Sequence, residues 1–587
     1  MKIEDWRKKY IDRLAFAADE LLKEETPAIS EKLWEIFETT GERLSFERVY
    51  FARRKRLSVF SSLCIEGIAG DDIAEKLNAI IMDICKEVSW ALPAHVNRKI
   101  EGWETTVDLF SCETAEALSE IAFSLRDVLP DDVKNSIITE VMRRVMRPFT
   151  DRRPYADWEQ SSMNWNAVCN GSIGMAAIYL LRLQGTLIVP KDRIMLERLI
   201  ERTRVNIAFY PDGFSDEGVC FEGMGYYTYA MTFFCAYEKL LREYMSEWHN
   251  KSLAEDLLKN EKVKRMAAFQ KACYFPNGKT VCFSDSDENE RFRVGLACFF
   301  EDEYGGAMFP PMISAAEYDS DDCYRFMMIN RDLCWSAEYL KKRGKSENFG
   351  RETCRGNEDT REITGGVYVF PKAQWLICHG RKGGVFAIKG GHNDEPHNHN
   401  DIGSFIYIKE GRTYFADIGA GEYTADYFGE GRYGILNNSS EGHNVPLVDG
   451  HLQKAGREHC CDMFSVRVYT ADGKSSKISS LKSISESEVS VVELEMSIGQ
   501  AYADDVVLIR KCRYNLDTEL FELTDTCNYP ITENFVTREK TEEILTESGI
   551  VCRIGTENVT LTGERKVRII HNHKGFDEEV RIFKAGI

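Results

Sequence analysis

The sequence of 587 residues lacks long apolar runs and an excess of positive charge. No stretch approaches the ~18 consecutive apolar residues of a membrane span, and the N-terminal segment MKIEDWRKKYIDRL mixes acidic with basic residues where an export signal would be apolar. We therefore expect a cytoplasmic protein without a membrane partner. Lys and Arg number 75 against 95 Asp and Glu, and the resulting net charge of −20 argues against nucleic acid as a partner.

Cysteine patterns typical of disulfide frameworks and zinc knuckles are also missing. The 18 cysteines are scattered singly, and the adjacent Cys460 and Cys461 form no CxxC motif. We expect buried free thiols in a reducing compartment. The composition, with 43% hydrophobic and 29% charged residues, is that of a globular protein with a sizeable core, and the length exceeds one ordinary domain.

The hydrophobic periodicity changes once along the chain. Residues 1–345 contain amphipathic runs at three- and four-residue steps, which predict a many-helix domain. Residues 346–365 are charged, contain glycine and have few apolar residues, as a linker does. Residues 366–587 carry short alternating segments separated by turn residues, which predict an antiparallel β-sandwich. The predicted order is an α domain followed by a β domain.

Seven of the eleven histidines lie within residues 379–459. In GGHNDEPHNHNDIGSF, the residues His397, His399 and Asp401 alternate, so an extended strand would present all three on one face. Imidazole and carboxylate groups together suit a divalent metal such as zinc. The alternative is a polar hairpin whose histidines only bind backbone groups. A second H-N-H sequence at residues 571–573 lacks acidic neighbours, and we expect a surface turn there.

Three segments of the helical region are further candidates for function. NWNAVCNG, residues 164–171, precedes an apolar helix, and a buried amide without a partner would cost roughly 1–3 kcal/mol. YPDGFSDEGVCFEGMGYYTYAM, residues 210–231, places a tyrosine cluster on a helix. RRVMRPFTDRRPY, which includes Arg152 and Arg153, could bind an anionic substrate. The structural alternatives are a helix cap, core packing and a solvated helix end.

Together these segments resemble the heparinase II/III-type polysaccharide lyases, a group that includes oligo-alginate lyases. The most specific matches are HNHNDIGSF, YFADIGAGEY and EGHNVPLVDG, in that order. The resemblance implies an incomplete (α/α) toroid followed by an antiparallel β-sandwich, with a cleft between them. It also implies β-elimination of uronate-containing glycans. A substrate of the heparin or heparan sulfate type is favoured, and an alginate-type oligosaccharide is the alternative.

The resemblance also implies roles for individual residues. Asn166 would neutralise the uronate carboxylate, and His397 would reach the cleft. The catalytic tyrosine would be Tyr227, with Tyr226 and Tyr229 left open. In this chain Trp165-Asn166 replaces the Asn-His pair of some members. The substrate-binding candidates are Asn164, Asn170, Glu222, Arg152 and Arg153. The implied metal ligands are His399, Asp417 and His443.

The chemistry of elimination is consistent with this set. A carboxylate must be neutralised before the adjacent C5 proton can leave, and a base and an acid must then act on C5 and on the C4 oxygen. The metal, with zinc favoured, would be structural, and no organic cofactor is needed. The expected partner is an acidic oligosaccharide, and the sequence leaves a homo-oligomer open. The competing hypotheses are a non-catalytic glycan-binding protein and a glycoside hydrolase, whose carboxylates would come from Asp212, Asp216, Glu217 and Glu222.

Overall fold

The computed structural model describes the chain except for a set of short segments. These are residues 153–155, 184–187, 250–254, 307, 347–365, 425, 486–487, 540, 547–548, 555–556, 560–562, 572–575 and 587. The predicted linker from residue 347 onward, Arg153 and most of the second H-N-H sequence therefore lie outside the described residues.

The first part of the chain is helical, and its apolar stripes face a common core. The helices are α1 (Ile3–Leu21), α2 (Glu31–Thr40), α3 (Leu44–Ile65), α4 (Asp71–Cys85), α5 (Leu109–Ser124), α6 (Asp131–Val141), α7 (Arg147–Asp151), α8 (Asn164–Arg182), α9 (Pro190–Ile207), α10 (Met224–His249), α11 (Glu261–Cys273), α12 (Val294–Tyr304) and α13 (Phe326–Ser346). In α1 the stripe of Trp6, Tyr10 and Leu14 is buried, as its spacing predicts. Helix α8 is buried on almost every side because it packs against α5, α9 and α10. The last helix, α13, returns to contact α1 and α3.

The second part of the chain consists of short strands. They are β1 (Gly366–Phe370), β2 (Trp375–His379), β3 (Val385–Lys389), β4 (His392–Asn393), β5 (Phe405–Lys409), β6 (Arg412–Phe415), β7 (Leu447–Val448), β8 (Gly456–Cys460), β9 (Met463–Tyr469), β10 (Ser475–Ile478), β11 (Lys482–Ser485), β12 (Val491–Ser497), β13 (Leu508–Asn515), β14 (Phe521–Cys527), β15 (Ile531–Thr537), β16 (Thr541–Thr546), β17 (Gly549–Ile554), β18 (Glu557–Val559), β19 (Gly563–His571) and β20 (Asp577–Gly586). The two largest sheets have the orders β11-β1-β2-β3-β5-β6 and β10-β9-β12-β13-β14, and their strand pairs are antiparallel.

The six-stranded sheet lies between the two parts of the molecule. Leu376 and Cys378 point into a core shared with the five-stranded sheet, while Trp375 and Ile377 point into the helical core. The Trp375 ring contacts Phe283 at 5.1 Å, measured between ring centroids. Burial on both faces explains why strands β2 and β3 carry consecutive apolar residues, up to His379 and Lys389 at their ends, rather than alternating ones. The predicted order, a helical toroid followed by an antiparallel sandwich, is confirmed.

Two expectations from composition can be compared with the described residues. None of the helices in the described ranges is long and apolar enough to cross a bilayer. The cysteines among those residues are free thiols, and most of them are buried.

Candidate active site

A cavity of about 720 Å³ lies where the helical part meets the loops of the β part. The helical part contributes the α2–α3 turn, the turn at residues 93–95 and the first turns of α5, α8 and α10. The β part contributes His397 and residues near 423–428. The polar residues that line this cavity are Arg43, His95, Asn164, Tyr226, Thr228, Tyr229, Asp285, Glu290, Arg291, Arg293, Ser320, Asp321, Asp322, Arg325, His397, Tyr423 and Thr424.

Asp285 is the centre of the hydrogen-bond network. One carboxylate oxygen lies 2.8 Å from His397 Nδ1, and the other lies 2.9 Å from His399 Nε2. Arg432 Nη2 donates to both oxygens at 3.1 Å, and the Tyr427 hydroxyl donates to one of them. Burial opposes ionisation of Asp285, but the hydrogen bonds from the two histidines hold its pKa well below the usual range.

His397 does not lie on a strand, so the expected extended alternation with His399 and Asp401 is wrong. The segment is a loop between β4 and β5, and His397 has a φ of +58°, which is unusual for a residue with a side chain. This bend lets His397 and His399 approach the two oxygens of one carboxylate. Asp401 turns away and forms a buried ion pair with Lys389 at 2.7 Å.

The tyrosine cluster is divided between the cavity and the core. Tyr226 lines the cavity, its ring lies 4.3 Å from the His397 ring by centroids, and its hydroxyl lies 3.1 Å from that of Tyr423. Tyr227, the favoured candidate, is fully buried and donates to the Met266 carbonyl at 2.9 Å. Tyr229 lines the cavity, but its hydroxyl is bound to Glu113. The geometry thus brings Tyr226, and not Tyr227, to His397.

The asparagines of the α8 motif are divided in the same way. Asn164 lines the cavity, and its Nδ2 donates to Glu222 Oε2 at 2.6 Å. Asn166 does not line the cavity, because it is buried and donates to the carbonyls of Glu159 and Asn206 at 2.8 and 2.9 Å. Asn170 is likewise buried and also donates to the Glu159 carbonyl. These two amides donate to backbone carbonyls inside the helical part, a structural role that differs from the helix cap considered for this motif.

Glu222 and Arg152 occupy different surroundings from those expected of substrate ligands. Glu222 is buried behind Asn164, and its Oε2 lies 3.8 Å from His397 Nε2. Burial raises its pKa, and His397 opposes that shift. Glu222 therefore positions Asn164 and does not line the cavity. Arg152 is exposed at the end of α7 and does not line it either.

The three expected metal ligands lie together. His399, Asp417 and His443 are buried, and one ligand atom from each lies within 4.8 Å of the others. His443 Nε2 donates to the Asn437 carbonyl at 2.7 Å, and His399 Nε2 donates to Asp285, so each ring keeps Nδ1 for a ligand. The Nδ1 atom of His399 has no hydrogen-bond partner within the described residues. This donor set could hold a metal ion.

The glycine of the D-x-G sequence at residues 417–419 is required by close packing. Gly419 has a φ of +61°, and a Cβ at this position would lie 2.1 Å from the carbonyl oxygen of Ser286. The Gly419 N–H also donates to Asp417 Oδ1 at 2.8 Å. The glycine therefore lets the β loop that carries Asp417 pack directly on the segment that carries Asp285.

The carboxylates of the hydrolase hypothesis are not assembled around the cavity. Asp212 is exposed, Asp216 pairs with Lys372 on the surface, and Glu217 accepts the backbone N–H groups of Lys372 and Ala373. None of these three residues, nor Glu222, lines the cavity in the described part of the chain. This arrangement does not supply two carboxyl groups that flank one bond.

Comparison with known proteins gives matches among solved structures alone. No protein-family model and no curated protein matches the sequence. A mutant form of heparan sulfate lyase HepC from Pedobacter heparinus superposes with a TM-score of 0.54 at 11% identity, over 91% of this chain and 73% of the other. A heparinase III gene product gives a TM-score of 0.51 at 13% identity, over 97% and 86%. The chain therefore has the fold of the heparinase III-type lyases, as its motifs predict.

Proposed function

We propose that this protein is a polysaccharide lyase that cleaves uronate-containing oligosaccharides by β-elimination. The observation that carries the proposal is the pair formed by Tyr226 and His397, whose rings lie 4.3 Å apart on one cavity wall. The likeness to heparinase III and heparan sulfate lyase supports a glycosaminoglycan of the heparin or heparan sulfate type as substrate. An alginate-type oligosaccharide is the second candidate.

His397 serves as the base in this mechanism. Its Nδ1–H is held by Asp285 at 2.8 Å, which leaves Nε2 to take the C5 proton. The ionised Asp285 stabilises the imidazolium that results. His397 lines the cavity while its Nδ1 is held by Asp285, so this histidine is available to substrate.

Tyr226 serves as the acid that protonates the C4 oxygen of the leaving sugar. Burial, and then the charge of Asp285, raise the pKa of its phenol, which keeps the proton on the hydroxyl until the leaving group develops negative charge. The second hydroxyl, from Tyr423, holds the phenol in place at 3.1 Å. Asn164 contributes a neutral hydrogen-bond donor for the carboxylate of the uronic acid.

We assign the buried group of His399, Asp417 and His443 to a structural metal ion, with zinc favoured by two imidazoles and one carboxylate. The ion would supply attachment between three loops and no chemical step. The unpartnered Nδ1 of His399 supports the assignment, because a buried imidazole nitrogen without a partner is costly. A cytoplasmic location and a homo-oligomeric state stay predictions from the sequence.

The proposal is tested by following ultraviolet absorbance with heparan sulfate, chondroitin, hyaluronan and alginate oligosaccharides, because elimination alone leaves a C4–C5 double bond. We expect a rise with at least one acidic substrate, and we expect it to be lost in His397→Gln and strongly reduced in Asn164→Ala. Reducing ends that appear without absorbance would instead indicate hydrolysis. If neither absorbance nor reducing ends appear, the hypothesis of a non-catalytic glycan-binding protein is favoured.

A further inference from the structure

A second histidine–aspartate pair lies on the helical wall of the same cavity. His95 Nδ1 lies 2.7 Å from Asp108 Oδ2, and Asp108 is only 1% exposed. The other oxygen of Asp108 accepts the Ser111 N–H at 2.8 Å in the capping box that starts α5. The carboxylate is thus fixed by a helix end, and it fixes the orientation of the imidazole in turn.

The ring of His95 is held between aromatic groups and faces the cavity. It stacks on Phe110 with ring centroids 6.0 Å apart, and it meets the edge of Trp165 at 5.0 Å. All three side chains line the cavity. Within the described residues, Nε2 of His95 has no hydrogen-bond partner, so the structure aims an unused ring nitrogen at the space where substrate would lie.

The arginines that line the cavity already have hydrogen-bond partners. The Asn164 amide already donates to Glu222 at 2.6 Å, and Asp285 and Glu290 add negative charge to the wall. Of the four arginines among its described lining residues, Arg43, Arg293 and Arg325 form ion pairs with Glu47, Asp332 and Glu113 at 2.8, 3.2 and 3.1 Å, and Arg291 donates to the carbonyls of Gly278 and Ile313 at 3.2 Å. His95 and Asn164 line the same cavity, and His95 contacts Trp165, the residue after Asn164.

We propose that His95, positioned by Asp108, binds the uronate carboxylate of the substrate together with Asn164. The inference rests on the proposed function and adds the group that supplies positive charge. With Nδ1–H donated to Asp108, the doubly protonated ring presents Nε2–H to the carboxylate. A charged donor in a water-poor cleft stabilises the carbanion that forms at C5 far better than an amide alone.

Two substitutions separate this role from a structural one. His95→Asn keeps a donor at the position of Nδ1, and with it the bond to Asp108, but removes the cavity-facing nitrogen. His95→Gln places an amide donor near the position of Nε2 and gives up the bond to Asp108. We expect the Asn variant to melt like the parent protein and to bind substrate about 10-fold or more weakly, since a hydrogen bond to a charged group is lost. The Gln variant should bind more tightly than the Asn variant.

Binding is measured by calorimetry on the full chain carrying His397→Gln, with saturated heparan sulfate, chondroitin, hyaluronan and alginate tetrasaccharides as probes. The same tetrasaccharides with methyl-esterified uronates are the matched controls. For the esters, the parent and the Asn variant should differ by less than about 3-fold, because the group that His95 binds has been neutralised. Equal affinity of the two proteins for the free acids would overturn the inference. An equal loss with acids and esters would overturn it too, since packing would then be the cause.

The outcome is independent of the lyase assay. Suppose that absorbance rises equally with the wild type and with the single variant His95→Asn, and that His95→Asn also leaves substrate affinity unchanged in the His397→Gln background. The lyase proposal then stands and this inference fails. If no absorbance rises but acid-selective binding depends on His95, the carboxylate site stands and the lyase proposal fails. If none of the probes binds, the inference is rejected.

Discussion

Tyr226 and Tyr227 are adjacent on α10, and successive helical residues point about 100° apart, so one ring reaches the cavity while the other enters the core. We predict that Tyr226→Phe lowers kcat by roughly 10²- to 10⁴-fold, as loss of a general acid does, with little change in Tm. Tyr227→Phe should keep most activity and lose about 1 kcal/mol of stability, because the bond to the Met266 carbonyl disappears. Steady-state kinetics and calorimetric melting check both, and equal activity of the two variants would contradict the assignment.

At this scale the sequence predicts some site residues well and others poorly. His397 and the trio of His399, Asp417 and His443 follow from a dense motif, and the structure gathers the trio as expected. The choice between neighbouring tyrosines or between Asn164 and Asn166 depends on helix rotation against the rest of the fold, which no local pattern fixes. Asp285 is missed because it lies in a loop rich in acidic residues, and nothing local marks which of them will meet the histidines.

At the scale of elements, the proposed metal ion would connect the loops that carry His399, Asp417 and His443. We predict that a chelator removes about one metal ion per chain and lowers stability by about 3 kcal/mol, relative to protein at a hundredfold excess of metal over Kd. His443→Ala should have the same effect without chelator, whereas His459→Ala, at a partly buried site where Nδ1 lies 2.9 Å from the Gln500 carbonyl, should not. Elemental analysis measures the metal content per chain, and melting curves measure the change in stability. Unchanged stability after complete metal removal would exclude a structural role for the metal ion.

Helix α10 also carries a buried acid far from the cavity. Burial, with Asp256 nearby, raises the pKa of Glu238 to about 8. Between about pH 4.5 and pH 8 the folded chain keeps a proton that the unfolded chain releases, so stability falls as pH rises, by at most ~1.4 kcal/mol per pH unit. We expect Glu238→Gln to remove this loss. The free energy of unfolding of the variant, relative to that of the wild type, should therefore be higher at pH 8 than at pH 5.

The matched control is Glu243→Gln, at a more exposed position of the same helix that pairs with Lys239. Denaturant unfolding of both variants across the pH range measures the difference. A parallel pH dependence in wild type and Glu238→Gln would show that Glu238 is not the group responsible.

At the scale of the whole molecule, the site exists only where the two parts meet, because Tyr226 and Asp285 come from one part and His397 from the other. We predict that Trp375→Ala, which opens the shared interface beside Phe283, costs about 3–5 kcal/mol and lowers activity although Trp375 is not among the described residues that line the cavity. Phe16→Ala, on the exposed side of α1, should change stability by less than about 0.5 kcal/mol. Melting curves and kinetics on the same samples test whether the loss of interface packing and the loss of activity occur together.

The large-scale organisation is the part that the sequence predicts most directly. The change from three- and four-residue periodicity to alternation locates the α and β parts, because each pattern reflects which faces are buried. It does not predict that β2 and β3 are buried on both faces, since their apolar residues read equally well as sandwich core. The second core contact, through Trp375 and Ile377, depends on the helical part of the chain.

The left-handed backbone at His397 allows the proposed base to be removed and replaced from solution. A side chain costs about 1–3 kcal/mol in that conformation, which glycine adopts freely, so His397→Gly empties the base position without straining the loop. The space that is left still has Asp285 and Tyr226 on its walls, and it opens to solvent through the cavity. We expect free imidazole to restore part of the absorbance rise in this variant, in proportion to its concentration, and 2-methylimidazole, which is bulkier, to restore less. The enzyme would then work with a base supplied from solution.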